Sequence, residues 1–249
     1  MPSNFRSRLL AHEKLIGPLV TLPSPEVAEI CVNAGFDWLF LDMEHGLLDL
    51  ITVQRIVQTV GDRAACVVRV PSHDPMWITK VLDIGVSGLI VPQVNTAEQA
   101  TAVVRAAKYP PQGARSVGLA RAHGYGATFT EYVQSANDIT AIIVQIEHVD
   151  AVRNIDSILN VSGLDAAFVG PFDLSASFNK IGQITDPEVQ GAITRVRAAC
   201  LSRRIPIGIF APNLERANAV LNEGYTFLAV SADIALLSTA AQQLRSALK

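Results

Sequence analysis

The sequence is short of the residues that mark several large classes of protein. Only three of its 249 residues are cysteine. Cys31, Cys66 and Cys200 are odd in number, far apart and set among apolar neighbours, which excludes a disulfide framework and a thiolate metal cluster. They read as reduced, buried thiols of a cytoplasmic protein. No apolar run approaches the roughly 18 residues of a membrane span. The N-terminal stretch "MPSNFRSRLLAHEK" is polar and lacks the apolar core of a signal peptide. Charge is also scarce, at 17% of residues with a formal net charge of −3, so there is no basic footprint for nucleic acid.

What is present is apolar and periodic. Hydrophobic residues make up 49% of the chain, enough for a large packed core. Short β-branched runs at 16–21, 38–41, 66–70, 88–91, 141–146, 166–169, 205–210 and 227–230 are apolar throughout. That is the pattern of parallel strands covered on both faces. Amphipathic stretches of helical length separate them, several opening on Ser, Asp, Asn or Thr, some with Pro next, and several closing on Gly. Eight strand–helix units in this length predict an α/β protein with a (β/α)₈ TIM barrel, as one domain over residues 1–249. A doubly wound open sheet is the competing architecture, but the near-equal units and the lack of a Gly-rich first turn favour closure. The longest connection, roughly 110 to 140, is rich in Gly and Arg and reads as a functional loop.

In such a barrel, reactive groups sit at the C-terminal ends of strands. There the second strand carries Asp42, Glu44 and His45, the third Arg69, the fourth Gln93, the fifth Gln145 and Glu147, and the sixth Asp173. Glu147 and Asp173 leave adjacent strands, and two carboxylates without Cys or clustered His suit Mg²⁺ or Mn²⁺. Such a pair leaves most of the coordination shell to substrate and water. The competing roles are helix or turn capping. Arg69, among Val and Cys, needs a partner and suits a carboxylate, supplied either by a ligand or by Asp42 or Glu44 as a structural ion pair. His45 is placed for base work near neutral pH or is a structural histidine. Asp83, late in the third helix, reads by periodicity as a solvated helix end. The lysines are Lys14, Lys80, Lys108, Lys180 and Lys249, none on an expected strand, which argues against Schiff-base chemistry at a strand lysine. Nothing after the last two strands resembles a Gly-rich phosphate cradle, which disfavours a phosphorylated substrate.

In order along the chain, "FDWLFLDMEHG", "VVRVP", "VLDIGVSGLIVPQVNTAEQA", "PPQGARSVG", "IVQIEHVDAVRNID" and "GLDAAFVGPFDLSAS" resemble the HpcH/HpaI family of metal-dependent, class II pyruvate aldolases over almost the whole chain. The resemblance is to its 4-hydroxy-2-oxoheptanedioate and 2-keto-3-deoxy-sugar-acid aldolases. It implies aldol cleavage of a 4-hydroxy-2-oxo acid to pyruvate and an aldehyde, with Mg²⁺, Mn²⁺ or Co²⁺ held by Glu147 and Asp173. It further implies Arg69 as the anchor of the pyruvoyl carboxylate, His45 as the base with Asp42 beside it, and Gln145 as a substrate hydrogen-bonding group. The amides after Gly170 become a carboxylate contact, and Asp83 reaches a neighbouring subunit's site. The assembly it implies is a homohexamer, a trimer of dimers that exchange the last helix, about 234 to 248. Two stretches depart from the best-known members. Gly46-Leu47-Leu48 follows the histidine in place of Ala-Pro-Asn, and Phe172 replaces a small residue before the metal-binding aspartate, both around the aldehyde half of the pocket. Two further readings are a lyase acting on a malyl- or citryl-CoA-type thioester, and a non-catalytic barrel that binds a 2-oxo acid.

Overall fold

The eight apolar runs form one parallel sheet that closes on itself in the computed structural model, which describes residues 5–248. Lys249 and residues 1–4 of the polar N-terminal stretch lie outside it. The strands are β1 (Leu15–Val20), β2 (Trp38–Asp42), β3 (Ala65–Arg69), β4 (Gly88–Val91), β5 (Ala141–Ile146), β6 (Ala166–Val169), β7 (Ile207–Ala211) and β8 (Phe227–Ala232). Their order around the barrel is sequence order, and β8 closes against β1 through Leu15↔Phe227 and Ile16↔Leu228. The architecture is the expected (β/α)₈ TIM barrel, with strand ends within two residues of those read from the sequence.

Side chains alternate along each strand between the barrel interior and the helical layer. Inside, Trp38, Phe40, Val67, Ile143, Phe168 and Phe227 form one cluster. Its rings touch at centroid distances of 5.9 Å for Trp38–Phe40, 5.4 Å for Phe40–Phe168 and 5.7 Å for Phe168–Phe227. Outside, Leu39, Leu41, Val68, Leu89 and Val144 pack against helical Val53, Ile56, Ile78 and Val103. Each fully buried side chain of this size contributes about 1.5–3 kcal/mol. The helix Phe5–Leu10 brings Phe5 to 5.9 Å from Trp38, closing the barrel at the strand N-termini. The polar reading of the N-terminal stretch gave no sign of this plug.

The expected helix starts are present. Ser24, Asp74 and Asp186 each cap a helix whose first residue is Pro, accepting from the backbone N–H of Val27, Met76 and Glu188 at 3.3, 2.7 and 2.8 Å. Thr96 and Gln99 form a reciprocal capping box. The connection over 110–140 is not a bare loop: it contains a 3₁₀ turn, Arg121–Gly126, and a full α-helix, Phe129–Ile139. An additional helix, Pro171–Ser177, follows β6 directly. The last helix, Asp233–Ala247, is anchored at its start by buried Asp233, and every residue from Ile234 to Leu248 is exposed.

Candidate active site

Strand alternation sets the site. Phe40, Val67, Ile143 and Phe168 point into the barrel, so the residues two further on, Asp42, Arg69, Gln145 and Gly170, stand above them at the strand C-termini. Asp42 and Arg69 are register partners on β2 and β3, and their side chains form a bidentate pair. Nε donates to Oδ1 at 2.9 Å and Nη2 to Oδ2 at 2.7 Å. Nη1 lies 3.1 Å from Glu44 Oε2, and the guanidinium sits over the Phe40 ring at 5.4 Å. Both carboxylates named as structural partners of Arg69 are therefore engaged. Burial works against the Arg69 charge, but the hydrogen bonds and field of Asp42 outweigh it, with Glu44 and Glu147 adding to them, and its pKa is raised.

Asp42 also accepts from the backbone N–H of Glu44 at 3.0 Å and of His45 at 3.3 Å, so one buried carboxylate ties down both Arg69 and the turn bearing His45. Gly46 is obligatory in that turn, since a Cβ there would lie 2.3 Å from the Asp42 carbonyl oxygen. The His45 imidazole is 64% exposed, lines the cavity, and has Nε2 4.0 Å from Glu44 Oε2. Burial pushes the Glu44 carboxyl up to about 7; Arg69 opposes this, and Glu147, Asp42 and Asp173 reinforce it.

Glu147 is buried just beyond β5. Its Oε1 accepts from the Gln93 backbone N–H at 2.8 Å and its Oε2 from the Gln145 amide. Gln93 reaches this position with φ of +57°, a left-handed conformation of the kind that clusters at functional sites. Gln93 was read as a polar strand-end residue only; its backbone role carries no sequence signal beyond that position. Burial raises the Glu147 pKa, the Gln145 and Gln93 hydrogen bonds oppose it, and Asp173 adds to it. Neither capping role suggested for the acidic pair is taken up. His148 caps the helix after Glu147, and Asp173 lies in the first turn of Pro171–Ser177, whose N-cap is Gly170. A Cβ on Gly170 would fall 3.0 Å from Glu147 Cβ and 3.1 Å from its Oε2, so a side chain there would press on that carboxylate. The Gly170 N–H is spent on Ile146 O at 3.1 Å and Pro171 has none, so the amides after Gly170 are those of Phe172 and Asp173 in the first turn of the helix.

These groups border a cavity of about 200 Å³ lined by His45, Arg69, Gln145, Gly170 and Asp173 together with Leu19, Phe40, Phe168, Phe172 and Phe210. Phe172, 46% exposed, meets Phe210 at a centroid distance of 6.3 Å. Of the apolar lining residues only Phe172 was read from the sequence as bordering the pocket; Leu19, Phe40, Phe168 and Phe210 were not. Asp83 does not line the cavity: it pairs with Arg115 at 2.7 Å, which replaces the solvated helix end read from periodicity. Arg115 in turn stacks on Tyr109 at 4.6 Å and donates to Tyr132 Oη at 3.2 Å.

The donor set fits a hard divalent cation. Glu147, Asp173 and Glu44 lie within one another's electrostatic reach around a single guanidinium that Asp42 already matches. Gln145 Oε1 is buried with no hydrogen-bond partner among the described residues. No three His, Cys, Asp or Glu side chains among those residues converge at ligand spacing; Glu147 and Asp173 are the pair on adjacent strand ends.

Fold and site together define a barrel enzyme with an acidic, oxygen-donor centre at its strand C-termini. The model of the HpcH/HpaI aldolase/citrate lyase family matches residues 16–240, and the chain belongs to that family and is a carbon–carbon lyase. It is 40% identical over 250 aligned positions to a 5-keto-4-deoxy-D-glucarate aldolase of Escherichia fergusonii, and 39% identical over 249 to that of Klebsiella pneumoniae subsp. pneumoniae. Each alignment covers 100% of this chain and 97% of the relative. The crystal structure of an HpcH/HpaI aldolase/citrate lyase family protein from Burkholderia cenocepacia superposes with a TM-score of 0.94 at 34% identity, covering 98% of both chains.

Proposed function

We propose that this lyase catalyses the reversible aldol cleavage of a 4-hydroxy-2-oxo acid to pyruvate and an aldehyde, with a divalent cation held by Glu147 and Asp173. The relatives' name points to deoxy-keto sugar acids as the starting class of substrate. The observation that carries the reading is the meeting of Arg69, His45, Gln145 and Asp173 around one cavity, with Glu147 bonded to Gln145.

Asp42 clamps the guanidinium through Nε and Nη2, so Nη1, which faces Glu44, meets the substrate carboxylate. Gln145 offers a hydrogen bond to the 2-oxo acid from the cavity wall. The bound cation, Mg²⁺, Mn²⁺ or Co²⁺, supplies Lewis acidity toward the 2-oxo group. His45 takes the proton of the C4 hydroxyl as the C3–C4 bond breaks. C4 leaves as the aldehyde carbonyl, and the bonding pair stays on C3 as the enolate of pyruvate until it is protonated there.

The test is exchange of the pyruvate methyl protons in D₂O together with cleavage of a 4-hydroxy-2-oxo acid. Chelator treatment is expected to abolish both, and Mn²⁺ or Mg²⁺ to restore them. His45→Ala should lose about 10²- to 10⁴-fold in cleavage, the usual worth of a general base. Full activity in the stripped protein, or wild-type cleavage by the variant, would overturn the respective assignment.

A further inference from the structure

Gln93, two residues beyond the end of β4, holds its left-handed backbone, φ +57°, where neither a turn nor a helix end accounts for it. His12, Asn179 and Arg204 share that region of φ, but each lies two residues past the last residue of a helix, where left-handed backbone is usual. After Gln93 the next helix begins only at Ala97. For a residue with a Cβ this conformation is costly, and it persists only where the surroundings over-determine it.

We infer that Gln93 is a positioning residue for Glu147, and that its left-handed backbone, rather than its side chain, sets the affinity of the site for a divalent cation. This rests on the metal reading above and deepens it. A glutamate carboxylate turns broadly about its last bond, so a donor on each oxygen is needed to hold its plane. The Gln145 amide serves Oε2, and the Gln93 backbone N–H serves Oε1 at 2.8 Å. Gly170 packs against the same side chain so closely that a Cβ there would stand 3.0 Å from Glu147 Cβ. Each oxygen still keeps a lone pair for a ligand. The Gln93 side chain is exposed, whereas Pro92 and Val94 on either side are buried, and it is the backbone of residue 93 that bonds Glu147.

The test titrates metal-stripped protein with Mn²⁺ by calorimetry and compares replacements that differ in their tolerance of positive φ. Gln93→Gly and Gln93→Asn keep the N–H and accept the conformation, and should bind Mn²⁺ within about threefold of wild type. Gln93→Val keeps the N–H but its branched Cβ opposes positive φ, and should bind about 10- to 100-fold more weakly, the usual worth of a group that orients a metal ligand. Gln93→Ala should fall between them, and it decides by the same criterion if the valine variant does not fold. Wild-type Mn²⁺ affinity in the valine and alanine variants, with a lowered Tm of the metal-free protein, would show that the bend only returns Val94 to the core, and overturns the inference while the metal reading stands. A glycine variant as weak as the valine one would transfer the role to the side chain and overturns it equally. Wild-type protein that takes up no Mn²⁺ removes the metal reading, and this inference falls with it.

Discussion

Asp42 organises the site although it is given no bond to make or break. Its two oxygens hold Arg69 in a fork and receive the amides of Glu44 and His45, so Arg69 and the turn bearing His45 share one support. Glu44 is the residue left in tension. Its Oε2 lies near Arg69 Nη1 but makes no hydrogen bond, and burial lifts its carboxyl to about 7 from an ordinary 4.5. In that window the metal-free native state keeps a proton that the unfolded chain has released. The native state therefore binds more protons, and stability falls as pH rises from about 4.5 to 7. The contribution is complete below 4.5 and gone above 7. The Tm of metal-free protein should decline across this range, and Glu44→Gln, which carries no titrating group, should flatten the decline. Parallel Tm–pH curves for the two proteins would show that Glu44 is not the group responsible.

At the scale of elements, the barrel's seam depends on a side chain outside the catalytic set. Asp233, at the start of the last helix, accepts from the N–H and Oγ1 of Thr21 at 3.0 and 2.8 Å, from Leu22 N–H at 2.8 Å and from Ile234 N–H at 2.8 Å. It thereby joins the end of β8 to the end of β1. Asp233→Ala leaves these donors unpaired and should cost about 2–4 kcal/mol. For a chain of this size that lowers Tm by about 4–16 °C, while Asp233→Asn, which keeps one acceptor oxygen, should fall in between; thermal unfolding followed by circular dichroism reads both. The strands themselves were legible because burial on both faces makes them apolar throughout. That same property hid which residues face inward, since a run such as Trp38-Leu39-Phe40-Leu41 has no visible alternation. The polar strand ends resolve it: with Asp42 and Arg69 inside, Phe40 and Val67 must be inside too. The helix Phe129–Ile139 was missed for a different reason. Phe129, Tyr132, Val133 and Ala136 do fall at i, i+3, i+4 and i+7, but the Pro- and Gly-rich chain before them reads as loop and masks that stripe. Arg69 showed from the sequence that it needed a partner, but not that Asp42 and Glu44 would both serve, because that depends on strand register.

For the whole molecule, the last helix presents a large imbalance between composition and burial. Ile234, Leu236, Leu237, Leu244 and Leu248 are 43–75% exposed, yet isolated helices of about 15 residues are marginal in water and draw their stability from tertiary packing. A helix anchored at its start by Asp233 that leaves Leu236, Leu237 and Leu244 exposed is suited to lie on another copy of the chain, and the dimer exchange implied by the family resemblance is the arrangement to test. Light scattering on the purified protein should then give a mass that is a multiple of one chain. Leu237→Gln with Leu244→Gln, two polar replacements at positions 63% and 67% exposed in this chain, should shift that mass toward the single subunit without unfolding the barrel, as near-unchanged far-ultraviolet circular dichroism would show. A variant that keeps the wild-type mass would place the subunit contacts elsewhere, and a wild-type monomer would remove the assembly altogether. The distinction reaches the chemistry, because Asp83 lies outside its own chain's cavity and is held by Arg115. Any role for Asp83 in the reaction requires a neighbouring subunit, so the double variant should lose activity along with assembly if Asp83 takes part, and keep it if each barrel works alone.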